Sequence, residues 1–391
     1  MRNMNRNRRN IKLVMAETIV TSGLMSMAIM TPFFKSIGLN QTEIALSQMM
    51  FTAIAMLLNV PLGWVADCFG RKMANIIGDC ICAFTLLVYS QTNCFWQVVA
   101  CECLFGIGAA FSQGVDSSML KLFSDREDKT GKLFRKLFAK TSTLMQLETL
   151  VMLLLGGPIG AISFRLAIAL SSVGYFGGAI ISLFIYDDTP RLNHSQQGNL
   201  KQITDVIARN LSNKKLRTRI AAYVVVREIT HGIIWVFTPL MLVVGVPLSI
   251  VSLGWAGNYL AASFGSHLGG KIGIKLRDWQ VFIFPILAIS VAGSIMFLSL
   301  NIATVWLYVV FGMVQGWTSA TMMPRVKEYV APEEQASVES FARVCSQSFY
   351  IISVWLINRA ADIDPKNAIA TTILIFLPLA IPVAIRLKRE R

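Results

Sequence analysis

Apolar runs of about twenty residues, separated by short polar or charged turns, recur along the whole sequence. A helix of that length crosses the ~30 Å hydrocarbon core of a bilayer. In the first half the runs predict spans at about 12–34, 43–65, 73–90, 95–119, 141–163 and 165–186. In the second half they predict spans at about 220–245, 248–270, 279–299, 302–323, 343–361 and 366–386. The longest polar stretch, Asp187 to Arg219, falls between the sixth and seventh run and reads as a linker. Within it, Ile203 to Leu211 has apolar residues at helical spacing, as in a short amphipathic helix lying on a membrane surface. The pattern therefore predicts an all-α integral membrane protein of twelve transmembrane helices. Residues 1–186 form one six-helix half, 187–219 the linker and 220–391 the second half.

Composition agrees. Charged residues make up 15% of the chain and hydrophobic residues 54%, with a mean hydropathy of +0.57, against about 25% charged residues in a soluble domain. The net charge of +14 is distributed as a topology signal. With alternate loops assigned to alternate sides, Lys35, Arg165, Arg359 and Lys366 fall on one side and Arg227 inside a span, while the rest of the 36 Lys and Arg share the other side. By the positive-inside rule this puts both termini in the cytoplasm, in a multi-pass protein of the plasma (inner) membrane. The basic surface is then a partner for anionic lipid headgroups, not for nucleic acid. Arg2, Arg6, Arg8, Arg9 and Lys12 before an apolar run have the look of a signal peptide, but the run is long and no small-x-small cleavage site precedes Pro32. It reads as an uncleaved first span.

Two short pieces of chemistry change the picture little. Of seven cysteines, Cys80, Cys82, Cys101, Cys103 and Cys345 lie in spans, Cys68 in a cytoplasmic hinge and Cys94 in an external loop. Cys-x-Cys on a helix points to two faces, so these read as packing residues and no metal site is expected. Three histidines and no hydrolase or acyltransferase motif leave no support for an enzyme, and no cofactor is expected. Gly265-Ser266-His267-Leu268-Gly269-Gly270-Lys271 matches the start of a phosphate loop, but Ile272 replaces the Ser or Thr and no strand precedes it.

The most specific stretch is Pro61 to Lys72, where Gly63, Asp67, Gly70, Arg71 and Lys72 form G-x-x-x-D-x-x-G-R-K between two spans. Gly63 permits close helix approach, Gly70 a sharp turn, and Asp67 can accept from a neighbouring helix N-terminus. Arg71 and Lys72 hold the turn on the cytoplasmic side. This motif resembles the loop signature of the major facilitator superfamily of secondary transporters. Gly265 to Lys271 is a degenerate second copy without the acid, and Tyr329 to Val338 resembles the matching late loop, with Gln335 where an Arg is common. Glu102 stands four residues before Gly106, where the family often has Arg, and Gly156-Gly157-Pro158-Ile159-Gly160 is similar to the kink of family antiporters.

The resemblance implies two six-helix pseudo-repeats working by alternating access, and a cavity lined by the first, fourth, seventh and tenth spans. An ionisable group inside a span is expensive and marks function by default. The set comprises Glu17, Asp79, Glu102, Asp116, Glu148, Arg227, Glu228, His231 and His267. Glu17, Glu102, Glu148, Arg227 and Glu228 are the expected proton-coupling and cavity residues, with Glu102 the principal one. Asp116 is the expected partner of Arg71 in the gate, and Asp67 is expected to face the start of the eleventh span near Ser340. The two histidines are expected to be packing residues. The sequence thus reads as a monomeric drug:proton antiporter-like transporter exporting a small amphipathic or cationic compound. The alternatives are proton-coupled uptake of a metabolite and a non-transporting receptor on the same fold.

Overall fold

A computed structural model describes residues 2–112, 115–186, 209–331 and 334–390; the side chains of residues 2–5, 60, 64, 67, 135, 274, 336 and 337 are outside the description. The chain divides into two compact units. The first comprises Met1–Leu39, Met50–Gln197 and Leu248–Ser252, and the second Asn40–Met49, Gly198–Pro247 and Leu253–Arg391. The helices of the first half are α1 (Arg2–Val20), α2 (Met30–Ser36), α3 (Gln41–Phe69), α4 (Arg71–Tyr89), α5 (Phe95–Ser112), α6 (Val115–Asp125), α7 (Lys132–Ile162) and α8 (Phe164–Leu183). Those of the second half are α9 (Lys214–His231), α10 (Phe237–Val243), α11 (Leu248–Lys271), α12 (Asp278–Leu298), α13 (Val309–Lys327), α14 (Gln335–Ala361) and α15 (Pro365–Arg389).

Nine of the described helical segments are long and apolar enough to cross a membrane. The three expected spans outside that set have physical reasons for it. The first is broken between α1 and α2; α11 carries Asn258, His267 and four or more small residues; and the tenth begins as a 3-10 turn, Thr304–Tyr308, before α13.

In the first unit, α3 runs unbroken through Pro61 to Phe69, so the turn expected over Pro61–Lys72 contracts to Gly70 alone, at φ 107°. Only glycine adopts that conformation without strain. A Cβ at Gly63 would meet nothing within 4 Å, so the close helix approach expected there does not occur. Lys72 Nζ donates to the carbonyls of Leu183 and Ile185 at 2.7 and 2.8 Å, satisfying the open end of α8. Beneath this turn Ile11, Val14, Ala66, Ala74, Met119 and Phe123 form one buried cluster joining α1, α3, α4 and α6. At the opposite end of α4, Arg165 fixes the turn before α5 by donating to the carbonyls of Ser90 (2.7 Å) and Thr92 (3.2 Å) and to Asn93 Oδ1 (2.6 Å).

In the second unit, Arg219 lies 5% exposed between Asp278 Oδ2 (2.6 Å) and Glu390 Oε2 (2.7 Å), its guanidinium 4.0 Å from the centre of the Tyr329 ring. Arg325 completes the network on Asp278 Oδ1 at 2.9 Å. The expected degenerate turn at Gly265–Lys271 is instead the last two turns of α11, where a Cβ at Gly265 would collide with the Met313 carbonyl of α13. The amphipathic segment expected at 203–211 lies almost wholly outside the described residues, as do His194 and Pro332-Glu333 of the late loop.

Candidate functional site

The first span does not continue as one helix. Thr18, Thr21 and Ser22 turn their hydroxyls back onto the carbonyls of Val14, Glu17 and Ile19 at 2.7, 3.0 and 2.7 Å, and α1 ends at Val20. The unwound stretch is held from two other helices. On α7, Glu148 accepts from Ser22 Oγ at 2.9 Å and from the Gly23 backbone N–H. Two helical turns further, Gly156 lies so close to the Met25 carbonyl that a Cβ would collide with it. On α8, Ser171 Oγ accepts from the Ser26 N–H at 3.0 Å. A carboxylate and a serine thus replace helical hydrogen bonds that the chain gives up between residues 21 and 29, and a glycine leaves room for the Met25 carbonyl.

Just before this break three carboxyl groups converge. Glu17 on α1 is fully buried, Asp79 on α4 is 1% exposed, and Asp116 opens α6. The Glu17 carboxyl stands within hydrogen-bond reach of both Asp79 and Asp116. Asn75, one turn before Asp79, donates its amide to Asp116 Oδ1. Glu17 Oε1, Asp79 Oδ2 and Asn75 Oδ1 have no further hydrogen-bond partner among the described residues. Gly178 of α8 makes room for Asp79, because a Cβ there would stand 2.7 Å from Asp79 Oδ2.

Glu102 is placed apart from this group. It is 5% exposed and accepts from the Tyr89 hydroxyl at 2.8 Å, across the α4–α5 contact.

The seventh span repeats the break of the first. After His231 the chain passes through Gly232 and a 3-10 turn, Ile234–Val236, before α10, where Phe237 stacks on Tyr308 with ring centres 3.6 Å apart. Arg227 Nη1 donates to the Tyr223 hydroxyl at 2.6 Å, and its Nε lies 3.5 Å from Glu228 Oε1. Glu228 is 2% exposed and takes a second bond from the Ser346 hydroxyl of α14. His231 Nδ1 contacts the Arg227 carbonyl at 2.9 Å. Arg227 opens onto a cavity of about 760 Å³ whose polar wall includes Tyr223, Thr230, Gln315, Ser319 and Gln335. Lys327 and Arg343 reach it too, both paired with Glu339 at 2.6 Å.

The structure therefore groups the expected residues differently from the sequence. Glu17 and Asp116 come together with Asp79, and the described partner of Asp116 is Asn75, where Arg71 was expected. Glu148 supports the break in the first span, and Arg227 with Glu228 opens the cavity. Glu102 belongs to neither arrangement, and Glu17 is enclosed within the first unit. Arg71 is engaged, and the Asp67 side chain is outside the description. His231 is half-buried and lines the same cavity as Arg227, and His267 is exposed. Sequence reasoning passed over Asn75, Tyr223 and Ser346; the polar Asn75 in an otherwise apolar run, one turn from Asp79, was the available signal.

The family model of the Major Facilitator Superfamily matches residues 13–354. This chain belongs to that superfamily. Among solved structures it resembles a point mutant of the nucleoside transporter NupG, with a TM-score of 0.79 at 14% identity over 98% of this chain and 99% of that one. It also resembles a bacterial homolog of the human lysosomal transporter Spinster in an inward-facing, unoccupied conformation. There the TM-score is 0.78 at 13% identity, over 99% of this chain and 98% of that one. No curated protein matches the sequence. Membership makes the chain a multi-pass secondary transporter with the superfamily's all-α, twelve-helix fold. The first and seventh spans, which correspond in the superfamily's two repeated halves, are both interrupted.

Proposed function

We propose that this transporter couples movement of a small organic solute to movement of protons. The observation that carries this reading is the contact among Glu17, Asp79 and Asp116. Two ionised carboxylates at hydrogen-bond distance in low dielectric repel strongly, and they rest together when a proton lies between them. Groups of this kind exchange protons when water reaches them, which is what a coupling site requires. Glu102 with Tyr89, and Glu148 at the break, are further protonatable groups in the helices of the first unit.

The solute seat is the cavity at Arg227. Its hydroxyls, amides and balanced charges suit a small polar solute with several hydrogen-bonding groups, which favours uptake of a metabolite by proton symport; the nucleoside moved by NupG is a solute of this kind. Export of a cationic amphiphile by proton antiport is the second reading, and Glu148 beside Gly156-Gly157-Pro158 favours it.

Proteoliposomes with an imposed pH gradient separate the two. Uncoupler-sensitive accumulation of labelled nucleosides supports symport, and uncoupler-sensitive movement of a cationic dye against the proton flow supports antiport. Glu17→Gln is expected to reduce either to the uncoupled level. Transport of both solutes that ignores the uncoupler and the substitution would sink proton coupling, and loss on Glu102→Gln alone would move it to Glu102.

A further inference from the structure

A second cavity, of about 550 Å³, lies in the first unit along α1 and α7, and no step of solute transport uses it. Its walls are two stripes with the same helical spacing. On α1 they are Arg8, Lys12, Met15 and Ile19, and on α7 they are Leu133, Leu137, Lys140 and Leu144. Residues spaced by four, three and four lie on one face of a helix, and eleven residues cover about 16 Å. The two helices run in the same direction here. The loop before α7 meets α1 near its start, through Arg8 and Glu127 at 3.3 Å, and Ser22 after α1 meets Met145 and Glu148 well along α7.

Arg8 and Lys12 stand at the end where α1 emerges from its basic flank, Lys140 follows Leu133 and Leu137 on α7, and Ile19 and Leu144 make the deep end apolar. Arg8 is held by Glu127. Lys12 and Lys140 are exposed and make no ion pair among the described residues. Arg6, on the same flank, lies 4.1 Å from the centre of the Tyr186 ring, an aromatic at the end of the sixth span, which marks this end as the headgroup level.

We propose that this groove is a binding site for an anionic phospholipid of the surrounding bilayer. Lys12 and Lys140 take the phosphate, and Met15, Ile19 and Leu144 line the first part of an acyl chain. The charge pattern selects the lipid. Three cations against one carboxylate along the groove favour a net negative headgroup over a zwitterionic one. The apolar floor, continuous into the span, favours a tethered chain over free phosphate.

The test uses purified full-length protein, with bound lipid counted by native mass spectrometry during titration with phosphatidylglycerol or phosphatidylcholine. Preferential retention of phosphatidylglycerol is expected. A Lys12→Gln, Lys140→Gln double variant is expected to weaken that retention about 25-fold, at roughly fivefold per cation. It should leave phosphatidylcholine unchanged, and Lys366→Gln should alter neither. Equal retention of the two lipids, or a double variant that binds phosphatidylglycerol like the parent, overturns the site. Should the double variant fail to fold, a photoreactive phosphatidylglycerol on the unaltered protein decides: cross-links in 133–144 support the groove, and cross-links confined elsewhere refute it.

Discussion

A charge removed from a buried ionic network leaves its partners desolvated and unpaired, which costs more than the network contributed when intact. Arg219 is such a charge, holding Asp278 and Glu390 under the Tyr329 ring. Arg219→Ala is expected to lower the unfolding free energy of the protein in detergent by roughly 2–3 kcal/mol, read from thermal or denaturant melts. The figure sits below the ~3–5 kcal/mol of a fully enclosed pair because Asp278 is 27% exposed. A melt unchanged by the substitution would show that water already solvates the site. At this scale the sequence made the cost of each charge legible but not its company. Glu17, Glu148, Arg227 and Glu228 stand out as ions in apolar runs. That Ser346 reaches Glu228 from 118 residues away, or that Glu17 touches Asp79, depends on which helix faces pack, and hydropathy carries no such information.

Among elements, the break in the first span was the least legible feature. Residues 21–29 are apolar enough to extend a helix through them. What interrupts it comes from elsewhere, through the Glu148 carboxylate on Gly23 and the face of α7 that Gly156 leaves open. A Cβ at Gly156 would strike a backbone carbonyl, which cannot rotate aside as a side chain can. Gly156→Val is therefore expected to cost about 1–3 kcal/mol in overpacking and to cut transport. Gly270→Val, where a Cβ meets open space, should leave melting midpoint and transport near the parental values, apart from helix propensity. Equal behaviour of the two variants would mean that α7 does not hold the break. A helix end was readable where chemistry is local, as in the positive-φ Gly70, whereas the Asn213 cap of α9, whose Oδ1 accepts from Lys215 and Leu216, lies inside the stretch read as linker.

For the whole molecule, the alternation of basic and neutral loops was the strongest sequence signal, since it depends on counting and not on contacts. It leads us to propose that the Ser90–Cys94 turn lies outside the cell. Cys94 is exposed there, on a loop that Arg165 fixes. A membrane-impermeant maleimide should label intact cells through Cys94 and lose that labelling in Cys94→Ser. Labelling only after the membrane is permeabilised would invert the topology. The one-residue link at Gly70 bears on motion. Two long helices joined by a single residue have no slack between them, so α3 and α4 form a stiff lever. A tilt of α3 is expected to be handed on to Asn75 and Asp79, one and two turns into α4, and so to the carboxyls beside them. On the proposed proton coupling, release of a proton there and displacement of a helix at the motif would be two readings of one mechanical coordinate.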